Sequence, residues 1–153
     1  MRLIKEWQLV RDDWAMLGRE DQARIDLSPA GPKQILPLAL YETFASELRG
    51  QGSRVGLLLE ADADCAHFAK WLAQVSLLAI RFDRFTDGRG YSLARLIRQR
   101  HGFVGELRAV GDVLHDQLYF LHQCGFDAFL LRQDQDPHDA IKRASDYSWS
   151  PKF

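Results

Sequence analysis

The chain has 153 residues, 46% of them hydrophobic and 27% charged, which suits one domain able to bury a sizeable core. A formal net charge of −1 excludes the broad positive field of a general nucleic-acid or membrane-surface binder. No apolar run approaches the ~18 residues of a membrane span and the first residues are too charged for a secretory signal, so a cytoplasmic protein with neither nucleic acid nor membrane as partner is expected.

Residues 1–33 read as an N-terminal flap and linker, and residues 34–153 as a single α/β domain. Within the flap, Leu3, Trp7, Val10, Trp14 and Leu17 suit one face of a helix, while Leu3-Ile4 and Leu9-Val10 equally suit two short strands of a hairpin. Both readings stay open. Asp26-Leu27-Ser28-Pro29-Ala30-Gly31-Pro32 has the proline and glycine density of a linker. Pro37 then suits the first position of a helix, with Leu38, Tyr41, Phe44, Ala45 and Leu48 as its apolar stripe and Gly50 at its end.

Val55-Gly56-Leu57-Leu58-Leu59 is a continuous apolar run, as expected of a parallel strand covered on both faces. Asp62 or Asp64 caps the next helix, which buries Cys65, Phe68, Leu72 and Val75 and turns His67, Lys70 and Gln74 outward. Residues 77–82, 107–110 and 128–131 supply three more strands. Between them lie a helix over residues 93–100 and a second with the stripe Leu114, Leu118 and Leu121, closed by Gly125. Asp136-Pro137 opens a final short helix reaching residue 145. The tail carries Tyr147, Trp149 and Phe153 and is expected to dock on the body or on a second subunit.

Four strands alternating with helices at βαβ spacing are expected to run parallel, because crossovers are right-handed. Laid down in sequence order they form half of a β/α barrel; an order reversal gives a flavodoxin-like open sheet. Charges alternate along the strands, Arg81 with Asp83 and Glu106 with Arg108, and a doubly wound sheet would trap them beneath a helix. The half barrel is therefore favoured. It leaves a face or edge uncovered, to be filled by the flap or by a second copy, and a homodimer is expected.

Ligands of parallel sheets bind beyond the carboxyl ends of the strands, where helix N-termini and loop N–H groups converge. Those ends carry Glu60, Asp83-Arg84, Gly111-Asp112 and Arg132, with the turn Asp87-Gly88-Arg89-Gly90-Tyr91-Ser92 above them. Gly88, Arg89, Gly90 and Ser92 are candidates to hold a sulfate-, sulfite- or phosphate-like anion through N–H groups, a guanidinium and a hydroxyl. Equally, Asp87 and Asp112 suit helix caps and the glycines suit unusual backbone angles. Asp83, Asp112, Arg81 and Arg108 are the candidate catalytic groups of a polar concave site.

Other signals point to bland roles. Gly88-Arg89-Gly90 departs from a dinucleotide fingerprint because Leu93 stands where the third glycine belongs. His101, His115 and His122 read as surface histidines, and Arg95, Arg98 and Arg100 as the solvated face of their helix. Cys65 and Cys124 lack CxxC spacing and are expected to be reduced thiols, Cys124 as a small buried hydrophobe; no metal site is expected.

Four strings carry a resemblance: Phe85-Thr86-Asp87-Gly88-Arg89-Gly90-Tyr91-Ser92; Gly105-Glu106-Leu107-Arg108-Ala109-Val110-Gly111-Asp112-Val113-Leu114; Asp116-Gln117-Leu118; and Cys124-Gly125-Phe126-Asp127-Ala128-Phe129. They resemble a bacterial family with a domain of unknown function, encoded beside assimilatory sulfite reductase and often labelled oxidoreductases of sulfite reduction. The resemblance covers about residues 35–147, with His115 where relatives are expected to carry Arg. It implies an auxiliary protein of sulfur assimilation, an oxidoreductase, or a binding module for the reductase that uses the aromatic tail. Sulfite or sulfate is the implied ligand, and the cofactor is unknown. An iron–sulfur cluster takes four cysteine ligands and this chain has two, so it cannot hold one alone.

Overall fold

The apolar runs of the second half of the chain become strands, and their spatial order follows the sequence. The computed structural model describes residues 2–145, which contain eight strands: β1 Leu3–Lys5, β2 Gln8–Val10, β3 Trp14–Met16, β4 Lys33–Pro37, β5 Val55–Glu60, β6 Leu77–Phe82, β7 Glu106–Gly111 and β8 Ala128–Leu130. Six helices accompany them: α1 Leu38–Thr43, α2 Ala45–Leu48, α3 Cys65–Phe68, α4 Gly88–Gln99, α5 Leu118–Gln123 and α6 Pro137–Ser145. The aromatic tail singled out in the sequence lies outside the described residues.

The strands form one sheet in the order β2-β1-β8-β7-β6-β5-β4-β3. Strands β3 to β8 pair in parallel with their neighbours, and β1 joins β8 antiparallel. The α/β class and the sequential half-barrel order agree with expectation. The strand number does not: eight strands stand where four were expected, and one of them, β1, runs against the rest.

The additional strands come from the first 37 residues. The hairpin reading of the N-terminus is the one realised, with Leu3 opposite Val10 and Lys5 opposite Gln8. Its two-residue turn places both Glu6 (φ 52) and Trp7 (φ 60) in the left-handed region. Asn-Gly normally marks such a turn, and neither residue carries that signal. Trp7 is fixed instead by stacking on Phe129 at 5.5 Å. Residues 26–32 lie outside regular structure, held by Arg54, which donates to the carbonyls of Pro32 (2.8 Å) and Asp26. Pro37 ends β4 rather than opening the helix, and the single helix expected after it is split in two at Phe44 (φ −113, ψ 21).

Only Arg11, Asp12 and Asp13 connect β2 on one edge of the sheet to β3 on the other. Four Cα steps span at most about 15 Å. Eight strands laid flat would measure about 34 Å between the outermost two. The sheet must therefore curl, and the short connector ties its two edges together. The N-terminal segment thus closes the half barrel, one of the two coverings that the sequence left open.

Curling separates two apolar faces. Outside, Leu36, Leu57, Leu59, Leu78, Ile80, Phe82, Leu107 and Phe129 pack against helix residues such as Leu40, Phe68, Leu93, Ile97, Leu118 and Leu121. Inside, Ile35, Leu58, Leu77, Ala79 and Val110 form a smaller cluster with Trp14 and Leu130. Gly125, at φ +114 just after the end of α5, ends that helix as expected. Its missing side chain leaves room for Arg98, whose Cγ would lie 2.6 Å from a Cβ at that position.

Candidate functional site

Parallel strands β4, β5 and β6 end together, and two adjoining cavities open at those ends. The first, about 190 Å³, is lined by Arg19, Leu38, Glu60, Asp62, His67 and Arg81 among others. The second, about 640 Å³, is lined by Ala61, Asp62, Ala63, Gly88, Arg89, Ser92, Leu93 and Leu96. Asp62 and Ala63 belong to both. This rim holds much of the polar chemistry the sequence pointed to.

Glu60 and Arg81 are register partners on β5 and β6, and their side chains pair at 2.9 Å. Arg81 is thus spoken for on one side while its cavity face stays exposed. Arg19, at the start of a 3-10 turn Arg19–Arg24, is exposed and forms no ion pair among the described residues. Neither Arg19 nor His67 was expected as a site residue, because nothing in the local sequence brings them to the strand ends.

The stretch read as a glycine-rich turn is instead the start of α4, which begins at Gly88 rather than Leu93, and its residues divide between roles. Asp87 caps α4: its Oδ1 accepts the Arg89 N–H at 3.1 Å and the Arg89 Nε at 2.9 Å, and its Oδ2 accepts Nη2 at 2.9 Å. The guanidinium beside it holds the Asp87 carboxyl below the usual range, and the carboxylate in turn raises Arg89. Arg89 also lies 3.9 Å from Asp62. An incoming anion would have to compete with a carboxylate already in place. Gly88 faces open space, whereas a Cβ on Gly90 would meet the Phe82 ring at 2.3 Å. Gly90 therefore serves close packing of α4 on β6, and Gly88, Arg89 and Ser92 remain at the cavity wall.

The four candidate catalytic residues are distributed over different surroundings. Arg81 is at the rim with Glu60. Asp83 is exposed, and its carboxylate forms no hydrogen bond among the described residues. Asp112 closes the turn after β7: its Oδ2 accepts the Phe85 N–H at 2.8 Å and its Oδ1 pairs with Arg132 at 2.6 Å. Arg132 pairs also with Asp134, which it lowers to about 2. Arg108 is 1% exposed on the concave face, bonded to Glu106 (2.8 Å) and Asp12 (3.0 Å), while Lys5 meets Glu106 at 2.7 Å. Its bonds run toward the start of β7, away from the strand ends. The concave face does accommodate paired charges, as the alternation along β7 suggested.

Three expected surface groups are covered instead, His122 fully and His115 and Arg98 in part. His122 is 6% exposed, packed edge-on against Trp7, with its Nδ1 3.3 Å from the Phe126 carbonyl. Its burial pushes the imidazole below its ordinary value. His115 is half-buried against Gln135. Arg98 spans from α4 to the carbonyls of Phe103 (2.9 Å), Gly105 (2.8 Å) and Gly125 (2.9 Å). Helical position alone made these residues look solvated, but the loops that return over α4 and α5 cover them.

Among the described residues no group of three or more His, Cys, Asp or Glu side chains could hold a metal ion. No helix there is long and apolar enough to cross a membrane. Residues 56–150 match a family described as "Bacterial protein of unknown function (DUF934)". Comparison with curated proteins and with solved structures gives no match.

Proposed function

We propose, for a chain that belongs to the bacterial DUF934 family, an auxiliary role in assimilatory sulfur metabolism in which the strand-end rim holds a small oxyanion such as sulfite or sulfate. The sulfur assignment rests on the resemblance carried by the strings around residues 85–92, 105–114 and 124–129. The ligand assignment rests on one observation: two adjoining cavities at the ends of β4, β5 and β6, with Arg19, Arg81 and Arg89 on their walls. Guanidinium groups recognise such oxyanions through paired N–H donors. Arg19 is the group with the least prior commitment; Arg89 would exchange Asp87 for the ligand.

Such a protein works in the cytoplasm, beside sulfite reductase, and as a homodimer. Redox chemistry, where it enters, belongs to the partner. Calorimetry with sulfite, sulfate and phosphate tests the ligand: millimolar or tighter binding is expected, weakened at least about tenfold by Arg19→Ala or Arg89→Ala. Absence of binding removes the site. A deletion strain tests the pathway separately, since it should grow with cysteine as sulfur source and fail with sulfite. Normal growth on sulfite would remove the sulfur assignment.

A further inference from the structure

Outside the rim, one pair of reactive side chains is brought together by the fold alone. Cys65 opens α3, and His101 follows the end of α4; 36 positions separate them, yet Cys65 Sγ lies 3.0 Å from His101 Nε2. Both ends are fixed by backbone. Asp64 caps α3 by accepting the Ala66 N–H at 3.0 Å, and the N–H groups of Arg100 and His101 both donate to the Leu96 carbonyl. Cys65 is partly exposed and His101 exposed.

The histidine of the pair also adjoins a cavity. His101 lines a recess of about 470 Å³ whose other walls include Leu72, Ala73, Val75, Phe103 and Val104. The recess is largely apolar, its wall carries the imidazole that the Cys65 thiol meets at 3.0 Å, and it is separate from the strand-end cavities. Cys124 offers a contrast: it is 6% exposed, and its sulfur accepts from Arg95 Nε at 3.3 Å.

We propose that Cys65 and His101 form a nucleophilic pair that takes a carbon electrophile bearing an apolar group, with the recess holding that group. As the Sγ–C bond forms, the bond from that carbon to its leaving group breaks and the electron pair departs with the leaving group. The Sγ proton passes to His101 Nε2. Burial, helped by Asp64 and opposed by Arg100, raises the Cys65 thiol above its ordinary value. The sulfur is then a neutral thiol near neutral pH, and its reactivity depends on a base within hydrogen-bond reach.

The test uses the full chain with iodoacetamide and N-benzyl iodoacetamide, the labelled cysteine being located by mass spectrometry. Cys65 is expected to label ahead of Cys124. His101→Gln should slow Cys65 about tenfold or more at neutral pH, while the two proteins converge at strongly alkaline pH, where the thiolate needs no base. A purely structural histidine would not produce that convergence. The benzyl reagent should outpace iodoacetamide at Cys65 by more than it does on glutathione, and Ala73→Leu should abolish the preference by filling the recess. Equal rates for wild type and His101→Gln at neutral pH overturn the pair; no benzyl preference in wild type overturns the recess as its binding site.

Discussion

Asp12 Oδ1 lies 3.0 Å from Arg108 Nη1 although 96 positions separate the two residues in the chain. The contact joins the connector between the edge strands β2 and β3 to β7 across the concave face. It satisfies a guanidinium that is 1% exposed, a charge that would be costly to leave unpaired. Asp12→Ala is expected to lower unfolding free energy by about 1–3 kcal/mol, because Glu106 still holds the arginine. Arg108→Ala should cost about 3–5 kcal/mol, since it removes one partner of a buried charge cluster. Urea unfolding measures both; an unchanged midpoint for Asp12→Ala would show that the connector closes the sheet without this bond.

Arg98 is a partly buried guanidinium with a mechanical role. Its three backbone acceptors belong to the loop before β7 and to the end of α5, so it laces three segments together. Replacement by Ala orphans these carbonyls and should cost about 2–4 kcal/mol, as lost charged hydrogen bonds cost more than neutral ones. Hydrogen exchange should show the loss first at Phe103, Gly105 and Gly125. Uniform exchange across the sheet would contradict the local lacing.

Gly90→Ala tests packing against propensity. A helix interior gains up to about 1 kcal/mol from this change. Here the new Cβ would meet the Phe82 ring at 2.3 Å, and that ring is held between Tyr91 and Phe126. Overpacking should win, with a net loss of about 1–3 kcal/mol. Adding Phe82→Leu to Gly90→Ala should recover part of it, so that the two changes are not additive in thermal unfolding.

The two-residue turn of the N-terminal hairpin carries strain at a known place. Glu6 is exposed at φ 52, a region Asn tolerates better than Glu. Glu6→Asn should therefore raise stability by up to about 1 kcal/mol without touching the Trp7 stack. A fall in melting temperature would mean that Glu6 makes a compensating contribution.

Stability should decline below about pH 6.5 through His122. Burial lowers the folded-state pKa of this imidazole beneath its unfolded value of about 6.5. Below that value the unfolded chain binds a proton that the folded chain does not, so stability is present above it and is lost as pH falls toward the folded pKa. His122→Phe keeps a ring against Trp7 and removes the titration. Its stability should be flatter with pH between neutrality and the onset of carboxylate protonation; an unchanged profile would assign the decline to another group.

How much was legible in advance differs along the chain. From residue 55 onward, apolar runs, Asp caps, Gly125 and Pro137 each act within a few residues of themselves, so β5 to β8 and the existence of helices α3 to α6 could be read, although α4 starts at Gly88 and not at Leu93, because Gly88 and Gly90 read as a turn. The first 37 residues could not be resolved in the same way. Strands β1, β2 and β3 are three residues long, too short to display a period, and their turn uses Glu6 and Trp7 without a turn signature. Strand β4 ends in Pro37, which local rules assign equally well to the start of a helix.

Site residues divide along the same line. Asp87 as a cap and the polar character of the strand ends follow from neighbours in sequence. The pairing of Cys65 with His101, the entry of Arg19 and His67 into the rim cavity, and the diversion of Arg108 to Asp12 depend on which segments meet after the sheet curls. The amino-acid order alone determined an α/β chain of successive parallel units with charged strand ends. Tertiary structure decided which charges neutralise one another and which remain available, because a three-residue connector draws two distant edges together and no local pattern encodes that closure.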